Sequence, residues 1–379
     1  MMAEALEIVL TQLADEGQPV HTINLIQLSD LTREQVSRFR TVSAGLSSPR
    51  RLELIRRMVE QAEANIHLSF HAALRECLTD REAQVRRLAI EGLWEDDRPN
   101  LIPRLAALMA EDPAAEVRAA AASSLGRFVL MGVLGEIAET VAFQAEQALL
   151  SAWYRPREVT EVRRRALEGY AYTADPIVHD LIYSAYYDED AEMRLSAVFA
   201  MGRTADQRWG KPVLEELYST DPAMRFEAAT SSGELALTAA VKRLVELLDD
   251  ADSNVREAAA LALGKIGGRT ARQALEIVLH RDDARLAAAA EEALAELSFN
   301  GETLEFEEEP GRSRSGALTD EDELDQVELD DEDDSNWDDE EFEDLGQDDE
   351  EIDLDWDEED EEDEEWDGDD EDEDADRWD

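Results

Sequence analysis

The sequence has very little of several residue types, and each shortage excludes a class of protein. Cys77 is the only cysteine, so the chain cannot form an internal disulfide, and a reducing compartment is expected. No apolar run approaches the roughly 18 residues that a membrane-spanning helix needs. The N-terminal residues are acidic and lack the basic and apolar regions of a secretion signal. These features predict a cytoplasmic protein with no membrane partner.

Basic residues are also scarce, and their shortage is concentrated at the C-terminal end. The 94 acidic and 36 basic residues give a net charge of −58. From Glu302 onward, 46 acidic residues accompany only 3 basic ones. The residues before Glu302 carry 48 acidic and 33 basic side chains, a balance that is ordinary for a globular protein. The asymmetry predicts one folded body and one acidic tail.

An apolar position recurs along the body, mostly at intervals of 31 or 32 residues. It is occupied by Leu54, Val85, Val117, Val162, Met193, Met224, Val255 and Leu286. Alanine stands four residues after each of the last seven, at Ala89, Ala121, Ala166, Ala197, Ala228, Ala259 and Ala290. A period of 20–50 residues indicates stacked helical units that bury their apolar faces against one another.

The residue after the apolar position is arginine in the six middle units. These arginines are Arg86, Arg118, Arg163, Arg194, Arg225 and Arg256. Acidic residues precede them, at Asp80, Asp112, Asp190, Asp221 and Asp252. An arginine fork can bridge a carboxylate in its own turn and one in the next unit, so we predict a structural role between repeats. Ile55 and Ala287 replace the arginine in the first and last units, which is typical of terminal caps.

Each unit also has an earlier helix, so the repeated pattern is helix, short turn, Asp-x-x-Val-Arg helix, Gly. This pattern resembles the HEAT repeat, particularly the short bacterial form also found in phycobilin lyases. The resemblance implies an all-α, right-handed α-solenoid of about eight stacked helical hairpins over residues 49–301. Residues 1–48 are expected to form an N-terminal helical cap, with helices at Ala3–Ala14 and near Thr32–Ser43. Residues 302–379 are expected to be disordered, because their charge opposes collapse.

One unit departs from the period, since the interval between Val117 and Val162 holds about 14 extra residues. Gly135–Trp153 is predicted as a long helix, followed by a protruding loop. Insertions in solenoids map to loops on one face, often the binding face. The partner-binding candidates here are Trp153, Tyr154, Arg155 and Arg157, and a merely tolerated insertion is the alternative.

A second candidate surface lies on the later helix of each unit, which usually lines the concave side of HEAT-like solenoids. Positions two and six residues after the apolar position point away from the core. They place Leu195, Phe199, Phe226 and Leu261 on neighbouring units, as an exposed apolar patch for a partner. The alternative is that curvature or a neighbouring loop covers these side chains.

The sequence contains no recognisable catalytic motif. It lacks a Gly-rich phosphate loop and a Ser-His-Asp signature, and His67 and His71 lack a complete ligand set. The paired His-Glu dipeptides of the HEAT-like di-iron hydroxylases are absent as well. We therefore predict no catalytic residue, cofactor or metal. Phycobilin lyases have no comparably clear motif, so a bilin or tetrapyrrole lyase or carrier remains the alternative function.

Nucleic-acid binding is a further alternative, since arginines cluster within residues 33–57 and 155–165. Such patches can bind phosphate backbone, as in HEAT-like DNA glycosylases. The net negative charge of the body and the adjoining acidic tail argue against nucleic acid as the partner.

The acidic tail carries spaced aromatic residues, namely Trp337, Phe342, Trp356, Trp366 and Trp378. Aromatic side chains among carboxylates suit a basic, partly apolar partner, because charge steers the encounter and the rings anchor it. A tail that guards the repeat surface and a purely solubilising tail are the alternatives. The preferred function is a non-enzymatic scaffold or adaptor for a protein with a basic surface, of undetermined oligomeric state.

Overall fold

The computed structural model describes residues 2–306, and the regular elements in this range are helices. The helix Ser253–Ile266 shows why these sequences fold as they do. Asp252 caps its start by accepting hydrogen bonds from two backbone N–H groups, those of Asn254 and Val255. Gly267 ends it with φ +79°, a left-handed conformation that a glycine adopts without steric cost. The aspartate and the glycine of the repeated pattern therefore mark the start and the end of this helix.

The helices follow one another with short connections. They are α1 (Met2–Ala14), α2 (Thr22–Leu25), α3 (Arg33–Gly45), α4 (Ser48–Ala64), α5 (His71–Cys77), α6 (Ala83–Glu91), α7 (Ile102–Glu111), α8 (Ala115–Val133), α9 (Glu139–Trp153), α10 (Thr160–Tyr170), α11 (Ile177–Tyr186), α12 (Ala191–Arg203), α13 (Gly210–Glu216), α14 (Pro222–Glu234), α15 (Val241–Leu247), α16 (Ser253–Ile266), α17 (Arg269–Val278) and α18 (Ala284–Phe306). Short 3₁₀ segments precede α7, α13 and α15 and follow α2. Within residues 2–306, no helix is long and apolar enough to cross a lipid bilayer.

From α3 onward the helices alternate between two rows. The odd-numbered helices α3 to α17 form the first row, and the even-numbered helices α4 to α18 form the second row. Second-row neighbours contact each other at every step from α4 to α18. The predicted all-α architecture of about eight stacked helical hairpins is confirmed.

The core lies between the two rows and follows the predicted period. All eight recurring apolar residues are buried, and so are the seven alanines that follow them. Each helical hairpin therefore buries its apolar stripe against its own partner helix and against the next hairpin.

Small residues at two fixed positions bring second-row helices close together. The residue nine after the apolar position of one repeat meets the residue seven after that of the next. These pairs are Gly126–Gly169, Gly202–Ser231, Gly233–Ala262 and Gly264–Ala293. A Cβ at Gly126 would lie 2.6 Å from Gly169 Cα, and one at Gly264 would lie 2.8 Å from Ala293 Cα. Larger side chains at these positions would force neighbouring repeats apart.

The extra residues between Val117 and Val162 lengthen a helical hairpin. Helix α8 has 19 residues, whereas α12 and α14 have 13 each. Helix α9 has 15 residues, whereas α11 has 10. The predicted helix over residues 135–153 begins four residues later, at Glu139, after Gly135 turns the chain with φ +74°.

We expect Gly126→Ala to destabilise the protein by about 1–3 kcal/mol, because the new methyl group overpacks against Gly169. The control is Gly45→Ala at the end of α3, where a Cβ would meet nothing within 4 Å. There the helix preference of alanine should stabilise by up to about 1 kcal/mol. Urea unfolding followed by circular dichroism measures both changes, and a stabilising Gly126→Ala would contradict the close-packing account.

Candidate functional site

Arginine side chains on the second-row helices clamp successive repeats together. In each clamp, Nη1 donates to a backbone carbonyl six residues earlier, while Nε and Nη2 donate to a carboxylate of the next repeat. Arg225 donates to the Ser219 carbonyl at 2.9 Å and to both carboxylate oxygens of Asp250 at 2.8 Å. Clamps of the same design are Arg86–Asp112, Arg118–Glu158 and Arg256–Asp283. One planar fork thereby fixes the position of two repeats.

The arginine's partner in its own turn differs from the expectation. It is a backbone carbonyl, because the acidic side chain before the helix is used as a cap for that helix. The residues that cap in this way are Asp190, Asp221 and Asp252. Asp80 and Asp112 are different, since each accepts a backbone N–H from the residue just before the helix and also pairs with an arginine of the preceding repeat.

The first repeat also has an arginine clamp, although its arginine is not at the position that the repeat pattern predicts. Ile55 replaces the arginine there, but Arg51 lies one helical turn earlier on the same helix face. Arg51 donates to the two carboxylate oxygens of Asp80 at 2.7 and 3.1 Å, and to the Leu46 carbonyl at 2.6 Å. The prediction that the clamp is lost at this end is wrong.

Two of the six predicted arginines make no ion pair with the next repeat. Arg194 donates to the carbonyls of Asp188 and Glu189, and Ser219 stands where Asp250 stands one repeat later. Arg163 lies over the Trp153 ring at 4.6 Å, and its buried Nε has no hydrogen-bond partner. The series of clamps is thus interrupted between α10 and α14.

The segment after α9 is anchored to the body and does not protrude as predicted. The Trp153 residue is 6% exposed, packed beneath Arg163, so it is unavailable to a partner. Arg155 donates to the Met109 carbonyl at 3.0 Å and to Glu158 at 2.7 Å. The Glu158 side chain is only 2% exposed, because it is the carboxylate that Arg118 clamps.

Two of the four partner-binding candidates in this region do lie on the surface. Tyr154 and Arg157 are exposed, and Arg157 has the positive φ of +62°. They are the surface-accessible members of this group of four partner-binding candidates.

The predicted apolar patch is largely covered. Leu195, Phe226 and Leu261 are half-buried and pack against the core. Phe199 is half-buried as well, with the Arg203 guanidinium 4.8 Å from its ring centroid. None of the four predicted side chains is exposed, because core contacts and the arginine cover much of their surface.

A polar network extends over the second-row face between α10 and α14. Arg164 Nε donates to Ser196 Oγ at 2.9 Å, and that hydroxyl donates to Glu168 at 2.6 Å. Burial, together with the nearby carboxylate of Glu168, raises the pKa of Glu227 to about 7. The network is a charge-compensated surface.

Most arginines of the two predicted basic clusters form ion pairs or hydrogen bonds with other groups of the repeat body. In the first cluster, the ion pairs are Arg38–Glu7, Arg40–Glu76, Arg51–Asp80 and Arg57–Glu53. Arg50 is buried and donates to the Leu13 carbonyl. In the second cluster, Arg164 and Arg165 both pair with Glu161. Few of these guanidinium groups are free to contact a phosphate backbone.

The described side chains form no evident reaction centre. Burial raises the pKa of the Cys77 thiol to about 12, so the thiol stays protonated and is a poor nucleophile. His179 Nε2 lies 3.1 Å from Asp206 Oδ2, which also accepts a hydrogen bond from Arg208 Nε at 2.8 Å. Over residues 2–306, no group of three or more His, Cys, Asp or Glu side chains is placed to hold a metal ion.

A cluster of tyrosines at the ends of first-row helices was not identified from the sequence. Tyr183, Tyr187 and Tyr218, here called the tyrosine patch, are all exposed. The Tyr183 and Tyr187 rings lie 4.8 Å apart between centroids, and Arg243 lies 4.4 Å above the Tyr218 ring. Tyr187 and Tyr218 are separated by 31 residues, which is the repeat interval. The sequence could therefore have indicated that both tyrosines occupy the same position in neighbouring repeats.

The aromatic residues of the predicted tail lie outside the described residues. These are Trp337, Phe342, Trp356, Trp366 and Trp378. The last described helix, α18, continues to Phe306, so the predicted boundary at residue 301 falls within a helix.

A family model of HEAT repeats matches residues 72–145 and 210–295. The resemblance to HEAT repeats is thereby confirmed for these two stretches, which lie on either side of the interrupted clamps. No curated protein matches the chain.

Solved structures with a similar arrangement include yeast importin-β (Kap95p), with 13% identity and a TM-score of 0.47, covering 78% of this chain and 46% of that one. The CpcE–CpcF complex of phycocyanin lyase from Nostoc has 17% identity and a TM-score of 0.44, with coverages of 71% and 95%. Human deoxyhypusine hydroxylase has 19% identity and a TM-score of 0.32, with coverages of 79% and 97%. At these values the likeness carries no activity or partner over to this chain.

We expect Arg225→Met to lower the free energy of unfolding by about 2–3 kcal/mol, because it leaves the Asp250 carboxylate, 8% exposed, without its partner. Arg194→Met is the matched control one repeat earlier, where carbonyls are the only hydrogen-bond partners. Its loss should be about 1 kcal/mol or less. Urea unfolding at pH 7 measures both, and equal losses would show that the carboxylate contributes nothing.

The free energy of unfolding of the wild type should exceed that of Asp250→Asn at neutral pH, and this difference should shrink as the pH falls. The hydrogen bond from Arg225 lowers the pKa of Asp250 in the folded state. A lowered folded-state pKa gives stability that is fully present above the unfolded value, near pH 4, and is lost as the pH falls through the folded value. Unfolding curves between pH 7 and pH 2.5 should show the difference shrinking below pH 4. A difference that grows on acidification would disprove this linkage.

Proposed function

We propose that this HEAT-repeat protein is a non-enzymatic scaffold or adaptor for a partner protein with a basic surface. The observation that carries the proposal is the set of five aromatic residues spaced along the acidic C-terminal segment, where 46 acidic residues accompany 3 basic ones. Extreme negative charge attracts a basic partner over a distance set by salt, about 8–10 Å at physiological ionic strength. Aromatic side chains then supply contacts that persist when charge is screened.

The composition of the repeat surface supports a protein partner over nucleic acid. Its arginines are largely committed to clamps and to ion pairs within the body, as in Arg86–Asp112 and Arg38–Glu7. Phosphate-backbone binding needs cations that are free to displace counterions. In this proposal, residues 49–301 supply the rigid repeat body behind a cap of residues 1–48, and residues 302–379 capture the partner.

The test compares three forms of the protein as bait for basic proteins from a cell lysate. They are the full chain, a chain ending at Phe306, and a full chain in which Trp337, Trp356, Trp366 and Trp378 are replaced by alanine. The last variant keeps every charge of the tail. We expect the full chain to retain basic proteins at about 0.15 M salt, the tryptophan variant to release most of them at that salt, and the shortened chain to recover few even at low salt.

Two results would contradict the proposal. Equal recovery of basic proteins by the shortened and full chains at low salt would show that the tail does not capture them. A purified protein with the visible absorbance band of a bound tetrapyrrole would contradict a purely scaffolding role. The tryptophan variant controls for loss of charge, since it differs from the full chain in aromatic content alone.

A further inference from the structure

The tyrosine patch contains one arginine site that the protein fills and an equivalent position that it leaves uncovered. Over Tyr218, the Arg243 guanidinium lies 4.4 Å from the ring centroid. Its Nη1 donates to Glu246 at 2.8 Å, and its Nε and Nη2 donate to the Leu217 carbonyl at 3.3 Å. An aromatic face, a carboxylate and a helix-end carbonyl thus hold one guanidinium together.

The repeat period places the same three groups one unit earlier. Thirty-one residues before Tyr218, Glu246 and Leu217 stand Tyr187, Glu215 and Tyr186. The residue 31 before Arg243 is Pro212, the third residue of α13 as Arg243 is the third residue of α15. Proline carries no guanidinium, so the arginine is the missing member of the set.

The side chains at this earlier position are available to a partner. Tyr187 is 68% exposed, and its ring is held at the edge of the patch by contacts to Tyr183 and Tyr186 at 4.8 and 5.2 Å between centroids. Glu215 and Glu189 are exposed, and within residues 2–306 their carboxylates have no ion pair or hydrogen bond from another side chain. Tyr186 donates its hydroxyl to Glu216, so its ring is fixed as well.

We propose that an arginine of the partner protein binds over Tyr187, in the place that Arg243 takes over Tyr218. The ring face accepts the guanidinium, Glu215 pairs with it, and Glu189 adds negative charge beside it. Arginine is favoured over lysine, because its planar fork stacks on the ring while its N–H groups reach the carboxylate and carbonyl. This inference rests on the proposed function, since it assigns the basic partner a second contact on the repeat body.

The test uses the full chain and two fluorescein-labelled peptides, one with eight alternating glycines and arginines and one with lysine in place of each arginine. Fluorescence anisotropy gives a dissociation constant for each. The acidic tail attracts both peptides, so the quantity of interest is the change that each substitution causes. We expect Tyr187→Ala to weaken binding of the arginine peptide by roughly three- to fivefold and of the lysine peptide by less than about twofold.

Three matched variants sharpen the test. Tyr187→Phe keeps the aromatic face and should bind the arginine peptide as the wild type does. Tyr218→Ala removes a ring that Arg243 already covers, and it should change binding by less than about twofold. Pro212→Arg supplies the missing guanidinium from within the chain and should compete with the peptide, reducing its affinity to the level of Tyr187→Ala. Circular dichroism confirms that each variant is folded.

Wild-type affinity of Tyr187→Ala for the arginine peptide would overturn the proposal, and so would equal effects of Tyr187→Ala and Tyr218→Ala. These outcomes are separable from failure of the proposed function. If the tail still captures basic proteins while Tyr187→Ala changes nothing, the arginine site alone is rejected. If the chain ending at Phe306 recovers basic proteins as the full chain does, the tail model is rejected whatever Tyr187 does.

Discussion

The small-residue contact between second-row helices is the constraint on which the rest of the structure depends. Gly126 against Gly169 and Gly264 against Ala293 allow backbone to approach backbone, which no larger side chain would permit. At that separation a guanidinium from one helix reaches a carboxylate before the next, as Arg225 reaches Asp250. Packing sets the distance between repeats, and the arginine clamps then fix their register.

Because packing and clamps both recur with the repeat, periodicity in the sequence predicted the buried stripe, the helical hairpins and four of the arginines that join neighbouring repeats, but not all of their acidic partners. The prediction from periodicity failed where the arginine–carboxylate contact is made by a residue at another position or of another type. Arg51 acts from one turn before the expected site, and Glu158 replaces an aspartate. Arg118 and Glu158 are 40 residues apart and Arg86 and Asp112 are 26 apart, a difference equal to the insertion.

The surfaces were harder to predict than the core, because exposure depends on where long side chains nearby are directed. Phe199 has the sequence position of an exposed residue, yet Arg203, one turn later, lies over its ring. Trp153 stands beside a loop in sequence, but it is buried beneath Arg163, which lies on the next helix, α10. Neither contact follows from a hydrophobic period, since both depend on the direction in which an arginine points.

The departures from the period gather in one part of the body. Arg163 and Arg194 make no ion pair across the next repeat boundary, Tyr187 lies in the repeat of Arg194, and Pro212 lies in the repeat that follows. A boundary without a clamp resists opening less than one that has a charge-assisted fork, and binding surfaces are drawn from such regions. The stretch without clamps is therefore the stretch that presents the exposed Tyr187 ring and the carboxylates of Glu189 and Glu215, which are unpaired within residues 2–306.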